Sequence, residues 1–142
     1  MKKLSVILVV FSLLFSVSCK EETKEITPSQ MKQVMAAHDE VMPKMGTIGK
    51  LVAELNPMAD STEAGAPYLK AKHDLQKSHT AMMDWMKGFG DRFDSDEIMK
   101  GKALSPEKQE WLNEEQEKVE DLKTLINTSI ANAEQLLNKK QN

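Results

Sequence analysis

SPEKQEWLNEEQEKVEDLKTLINTSIANAEQLL, residues 105–137, decides the fold. Apolar or intermediate positions recur at Lys108, Leu112, Glu115, Val119, Leu122, Ile126, Ile130, Ala133 and Leu137. Steps of three and four place them on one face of an α-helix. Ser105 stands where an N-cap belongs and Pro106 occupies the first helical position, which loses nothing by lacking an amide hydrogen. The spacing predicts a helix over about 106–138, fraying at its last residues. Glu114 and Lys118, four apart, mark a solvated outer face. The stripe has two possible uses. Either it closes a bundle within the chain, or it serves as a coiled-coil surface for a protein partner or a second copy.

Working back from residue 105, two more helices appear. In TPSQ, residues 27–30, Thr27 reads as an N-cap, Pro28 as the first helical residue and Gln30 as the far end of a capping box. A stripe follows through Met31, Met35, His38, Met42, Met45, Val52 and Leu55, with Ile48 or Gly49 filling the gap. Pro43 lies inside this helix (about 28–55). It frees the Asp39 carbonyl and predicts a kink or break. NPMADSTEAGAP, residues 56–67, is a connection. The second helix, about 67–88, carries Tyr68, Ala71 or Lys72, Leu75, His79, Met82, Met86 and Phe89, and Gly88 and Gly90 loosen its end. Residues 91–105 are acidic and turn-rich, with one helical turn at 97–100. No segment alternates with period two for long enough to form a strand. The expectation is all-α: an antiparallel up-down-up three-helix bundle spanning residues 27–142, its first helix kinked near Pro43. Trp85 and Trp111 flank the second connection and are expected in one layer.

The N-terminus is an address. Lys2 and Lys3 precede an uncharged apolar run, Leu4 to Phe15, which is shorter than the roughly 20 residues a bilayer requires. FSVSCKEETKE, residues 15–25, places small residues before Cys19, the single cysteine. This resembles the lipobox of bacterial lipoproteins, although Ser16 stands where the usual motif has Leu. The resemblance implies a signal peptide over residues 1–18, acyl chains on Cys19 and a charged, flexible tether over residues 19–26. Lys20, Glu21 and Glu22 directly after the cysteine resemble the surface-export signal of Bacteroidota lipoproteins. They imply an outer-membrane anchor facing outward, with a periplasm-facing anchor as the alternative.

Cleavage would leave one domain's worth of chain and move the net charge from −3 to about −5. An acidic surface argues against nucleic acid, which wants a basic face. With Cys19 acylated no disulfide can form, so packing alone must hold the fold.

No enzyme signature is present. The chain lacks a phosphate loop, G-x-S-x-G, H-E-x-x-H, C-x-x-C and the Glu-x-x-His pair of di-iron bundles. The acidic DRFDSDE, residues 91–97, does not have calcium-loop spacing. Methionine and histidine remain. There are ten methionines, and His38 and His79 fall on apolar stripes, whereas His73 falls off them. Counted from the first connection, Met42 and His79 reach one level, and His38 reaches that of Met82 and Met83, within about one turn, ~5 Å. Thioether and imidazole together suit Cu(I), and a His/Met pair suits haem. The competing reading makes methionine a flexible filler of a core with few aromatics, and the histidines satisfied packing residues.

HDEVMPKMGTIGKL (38–51), HTAMMDWMKGFGDRFD (79–94) and EKQEWL (107–112) resemble a group of small flavobacterial lipoproteins that carry the label "viral A-type inclusion protein". The resemblance covers most of the mature chain and implies a helical, lipid-anchored protein of the Bacteroidota. The group has no established activity, so no catalytic residue is transferred. The expectation is a non-enzymatic binding or structural module of the cell envelope. The alternative is an envelope metal-binding protein using His38, Met42, His79, Met82 and Met83.

Overall fold

The computed structural model describes residues 29–141, and among these the chain is all-helical. The expected signal peptide, Cys19 acylation site, Lys20-Glu21-Glu22 export signal, tether and Thr27-Pro28 helix start lie outside the described residues. The order is α1 (Gln30–Val41), a 3-10 turn (Met42–Lys44), α2 (Met45–Leu55), a second 3-10 turn (Asn56–Met58), α3 (Ala66–Arg92), α4 (Ser95–Lys100) and α5 (Pro106–Gln141). No helix among the described residues is long and apolar enough to cross a membrane.

Pro43 divides the first arm. It cannot donate to a carbonyl four residues back, so α1 ends at Val41 and a 3-10 turn carries the chain into α2. The first helix starts at Gln30 with Ser29 at the N-cap, and Ser29 makes no side-chain cap bond. Gln30 is thus the first helical residue, not the third. Its amide reaches across to α5, donating to Asn113 (2.9 Å) and Gln116 (2.7 Å) and accepting from Gln109 (2.6 Å).

Side-chain pairs set the directions of the helices. Gln30–Asn113, Gln33–Gln116, Glu40–Lys123 and Lys44–Asn127 all join residues 83 apart, so the first arm and α5 run the same way. Ser78 meets Ser129 and Arg92 meets Glu114 and Glu115, so α3 runs against α5. Asn56–Lys72 and His38–Trp85 likewise set α3 against the first arm.

The apolar core draws on every long helix. Val34, Val41, Ile48, Leu55, Leu75, Met82, Leu112, Val119 and Ile126 are fully or almost fully buried, and full burial of one such side chain is worth about 1.5–3 kcal/mol. The α5 stripe matches the expected one closely. The first-arm stripe differs. Val34, Ala37, Val41 and Leu51 are buried, while Met35, His38, Met42, Met45 and Val52 are half-buried beside them. On α3, Ser78 and Trp85 take the inward places expected for His79 and Met86.

Two ends also differ from expectation. Helix α3 continues through Gly88 and Gly90 to Arg92, and α5 continues to Gln141. The extension of α3 separates the tryptophans. Trp111 sits under the Arg92 guanidinium, 5.5 Å from its ring centre. Trp85 is seven residues earlier on α3, about 10 Å along the axis. Ser105 caps α5 as expected, accepting from the Lys108 amide at 3.3 Å.

Added methyl groups separate these contributions. A Cβ at Gly90 would meet nothing within 4 Å. Gly90→Ala should therefore stabilise the fold by about 0.5–1 kcal/mol by removing backbone freedom from the unfolded chain. Ile126→Ala, at a fully buried site, should cost about 2–5 kcal/mol. Urea unfolding followed by circular dichroism measures both, and a destabilised Gly90→Ala would show that α3 does not continue through that residue.

Candidate functional site

Helix α3 packs against α2 and α5 and carries three of the five candidates, His79, Met82 and Met83. Its inward face carries an aromatic ladder. Trp85 stacks on Phe89 with ring centres 4.9 Å apart, and Phe89 meets Phe93 at the same distance. His38 of α1 extends the ladder, stacking on Trp85 at 5.6 Å, while its Nδ1 pairs with the Asp39 carboxylate at 2.9 Å. The Trp85 indole N–H is buried and has no hydrogen-bond partner among the described residues.

Grooves flank α3 on both sides. One facing α5, about 430 Å³, is lined by Ala81, Trp85, Lys118, Asp121, Leu122 and Leu125, and another between the same helices, about 290 Å³, lies nearer the start of α3 beside Ala71 and Leu136. The one facing α2, about 350 Å³, is lined by Ile48, Gly49, Val52, Gln76, His79 and Thr80. A larger, acid-rich hollow of about 650 Å³ lies on α5 around Glu117, Glu120 and Asp121 beside Gln30.

The five candidate ligands fall into unlike surroundings. His38 is half-buried on Trp85, and Met42 is half-buried at the 3-10 turn. Met82 is fully buried in the core. His79 is exposed at the α2 groove, and Met83, 37 % exposed, follows it by one turn. The structure thus keeps His79 and Met83 on one edge of α3 and turns Met82 inward. Met45, on the first-arm stripe but outside the five, is half-buried and stands four residues, one helical turn, before Gly49, which lines the α2 groove. His73 is exposed, as its place off the stripe implies. Among the described residues no three of His, Cys, Asp and Glu are grouped to hold a metal ion.

The buried polar groups are committed elsewhere. Glu115 binds Arg92 (3.0 Å) and Lys118 (2.9 Å). Glu97 binds the Lys108 ammonium (2.6 Å) and the Asp94 amide (2.8 Å), and the lysine is the main cause holding its carboxyl below the usual range. Ser78 donates to the Leu75 carbonyl at 2.8 Å, and Ser129 lies 3.1 Å from Ser78 and 3.0 Å from the Ile126 carbonyl.

DRFDSDE resolves into a helix start. Asp94 accepts from the amides of Asp96 and Glu97, and Glu97 reaches back to the Asp94 amide, a complete capping box for α4. The D-x-x-E spacing carried that signal in the sequence. Gly101 closes α4 in the left-handed conformation at φ 70°, which a side chain would resist.

No protein-family model matches the chain, and neither a curated protein nor a solved structure matches it.

The Asp94 carboxyl is drawn down from 3.8 to about 2, first by the Lys102 hydrogen bond and then by the Glu97 amide. A carboxyl lowered by folding contributes stability that is complete above its unfolded value and lost as the pH falls through its folded value. The window is therefore about pH 4 down to about pH 2. Asp94→Asn keeps a capping side chain but cannot titrate. Its stability deficit relative to the parent should shrink across that window, read as urea midpoints, and a deficit independent of pH would exclude the Asp94–Lys102 pair as its source.

Proposed function

We propose that this chain is a lipid-anchored cell-envelope protein whose helices form an up-down-up three-helix bundle, acting as a non-enzymatic binding or structural module. The observation that carries the reading is the commitment of its buried acidic side chains. Glu97 and Glu115 are each held by cations from other parts of the chain, Lys108 and Arg92. Both carboxylates staple α5 to the preceding elements instead of facing a cleft. A general acid or base needs a free face toward a substrate, and these two have none to spare.

The parallel pairing of the first arm with α5, and the antiparallel placement of α3, support the bundle topology. Mutual burial of the α5 stripe against α3 and α1 favours use of that stripe within the chain over use in a homodimer. The anchor rests on the sequence: a basic start, a short apolar run, Cys19 and the charged residues behind it. In this reading Lys20, Glu21 and Glu22 direct the protein to the outer face of the outer membrane. The segments resembling the flavobacterial lipoproteins support the same assignment, with the chain as a member of that group.

Metabolic labelling with a palmitate analogue tests the anchor, using the full chain expressed in a Bacteroidota host. The parent should be labelled and sediment with outer membranes, and Cys19→Ser should lose both properties. Protease added to intact cells should digest the parent and spare a Lys20→Ala, Glu21→Ala, Glu22→Ala variant. An unlabelled, soluble parent would overturn the anchor, and a protected parent would place it on the periplasmic face.

A further inference from the structure

The seam between the first arm and α3 carries soft donor atoms on both sides. Its groove is bounded by Ile48, Gly49 and Val52 of α2 and by Gln76, His79 and Thr80 of α3. Met45 precedes Gly49 by four residues, so it continues that edge of α2 one turn toward α1. Met83 follows His79 by four, so it continues that edge of α3 by one turn. The two helices run in opposite directions, with Asn56 against Lys72 at one end and His38 against Trp85 at the other. Both steps therefore lead the same way along the seam. Met45 and Met83 flank one layer, and His79 lies one turn away, about 5.4 Å.

The surroundings fit a ligand-accessible site. Met45 is half-buried, while Met83 and His79 are exposed, so their donor atoms stand at the rim of the groove. His79 makes no hydrogen bond or ion pair among the described residues, and it is free to offer a ring nitrogen. The other three candidates of similar chemistry are placed otherwise: His38 is held by Asp39 and Trp85, Met82 is in the core, and Met42 is half-buried against the core at the 3-10 turn. Methionine has three rotatable bonds, which let each sulfur swing toward a shared ion.

We infer that Met45, Met83 and His79 form a surface site for Cu(I). Two thioethers and an imidazole select a soft cation, and the residues lining the groove include no carboxylate to favour a hard one. Binding is a ligand exchange in which sulfur and nitrogen lone pairs replace those of a competing donor, and the copper stays in its reduced state. This names the ligand class for the binding module proposed above and rests on that reading.

The test is a Cu(I) titration of the full chain carrying Cys19→Ser, which removes the thiol. It is run anaerobically under reducing conditions against bicinchoninate, whose coloured complex reports the copper it retains. The chain should withdraw one equivalent. Met45→Leu with Met83→Leu, and separately His79→Asn, should weaken binding on the order of tenfold to a hundredfold. Met99→Leu, at an exposed methionine on α4, should leave it unchanged. Leucine preserves the volume of methionine, and unchanged circular dichroism verifies that each variant is folded. With methionine methyl groups labelled, the Met45 and Met83 signals should move on adding Cu(I). Retention of all copper by bicinchoninate, or equal withdrawal by the parent and the double methionine variant, would overturn the site. Either result, with the parent chain labelled at Cys19, would remove copper and leave the anchored module standing.

Discussion

Pro43 is the constraint around which the first arm is organised. A helix interrupted there loses one amide donor and must either bend away from its neighbour or tighten locally. This chain tightens, through the 3-10 turn Met42–Lys44. Glu40 lies before the break and Lys44 within it, yet both meet α5 partners at the same separation, Lys123 and Asn127. The turn thus preserves register on the α5 side. It also rotates the arm, since three residues at 3.0 per turn advance about 60° more than they would at 3.6. Val41 and Ile48 are both inward, and nothing between them is fully buried. The α3-facing edge is therefore left to long, adaptable side chains.

Small side chains solve the opposite problem between α3 and α5. Ser78 and Ser129 are buried opposite one another, each with a carbonyl of its own helix within reach. Each hydroxyl has one proton. Ser78 gives its proton to Leu75, so that of Ser129 is divided between Ser78 and Ile126. The contact stays satisfied without importing water. A larger apolar pair would push the helices apart just where Leu75, Met82 and Ile126 pack most tightly.

The helical class, the three long segments and the α5 face could be read from the sequence because the α5 period is regular and its cap, Ser105-Pro106, is local. The inward face of the first arm could not. The methionine spacing points to a face that competes with Val34, Ala37 and Val41, and Pro43 breaks the period that would link its two halves. The β-branched and small residues fill the centre, whereas methionine reaches inward from the edge along a flexible chain. On α3, the spacing of His79 and Met86 likewise lies one residue off the inward places, which Ser78 and Trp85 take. Gly88 and Gly90 carry a stop signal, yet the helix tolerates them because Phe89 between them and Phe93 beyond them are buried. Of the candidate ligands, the sequence could place His79 and Met83 on α3 but not separate Met82 from them, since adjacent residues differ by about 100° of helix and only packing decides which points in.

Helix α4 shows how far local signals and tertiary contacts must agree. Six residues cannot sustain a helix in water, because nucleation outweighs so few hydrogen bonds. The capping box at Asp94 satisfies the first amides, and Gly101 permits the left-handed exit. Neither supplies apolar burial. That comes from outside, where Phe93 and Glu97 are buried and Ile98 and Leu104 pack against the core. A small hollow of about 160 Å³ joins Glu97 and Gly101 to Ser29, Met31 and Leu112. The connection between α3 and α5 therefore covers the end of the helices at which α1 and α5 both begin. Lys108 ties it down by giving its charge to Glu97 within the first turn of α5. The acid-rich stretch, whose spacing does not suit a calcium loop, is the device that keeps this short helix in place. Lys87, Lys100, Lys102 and Lys108 pair its carboxylates, so little of its negative field is left over.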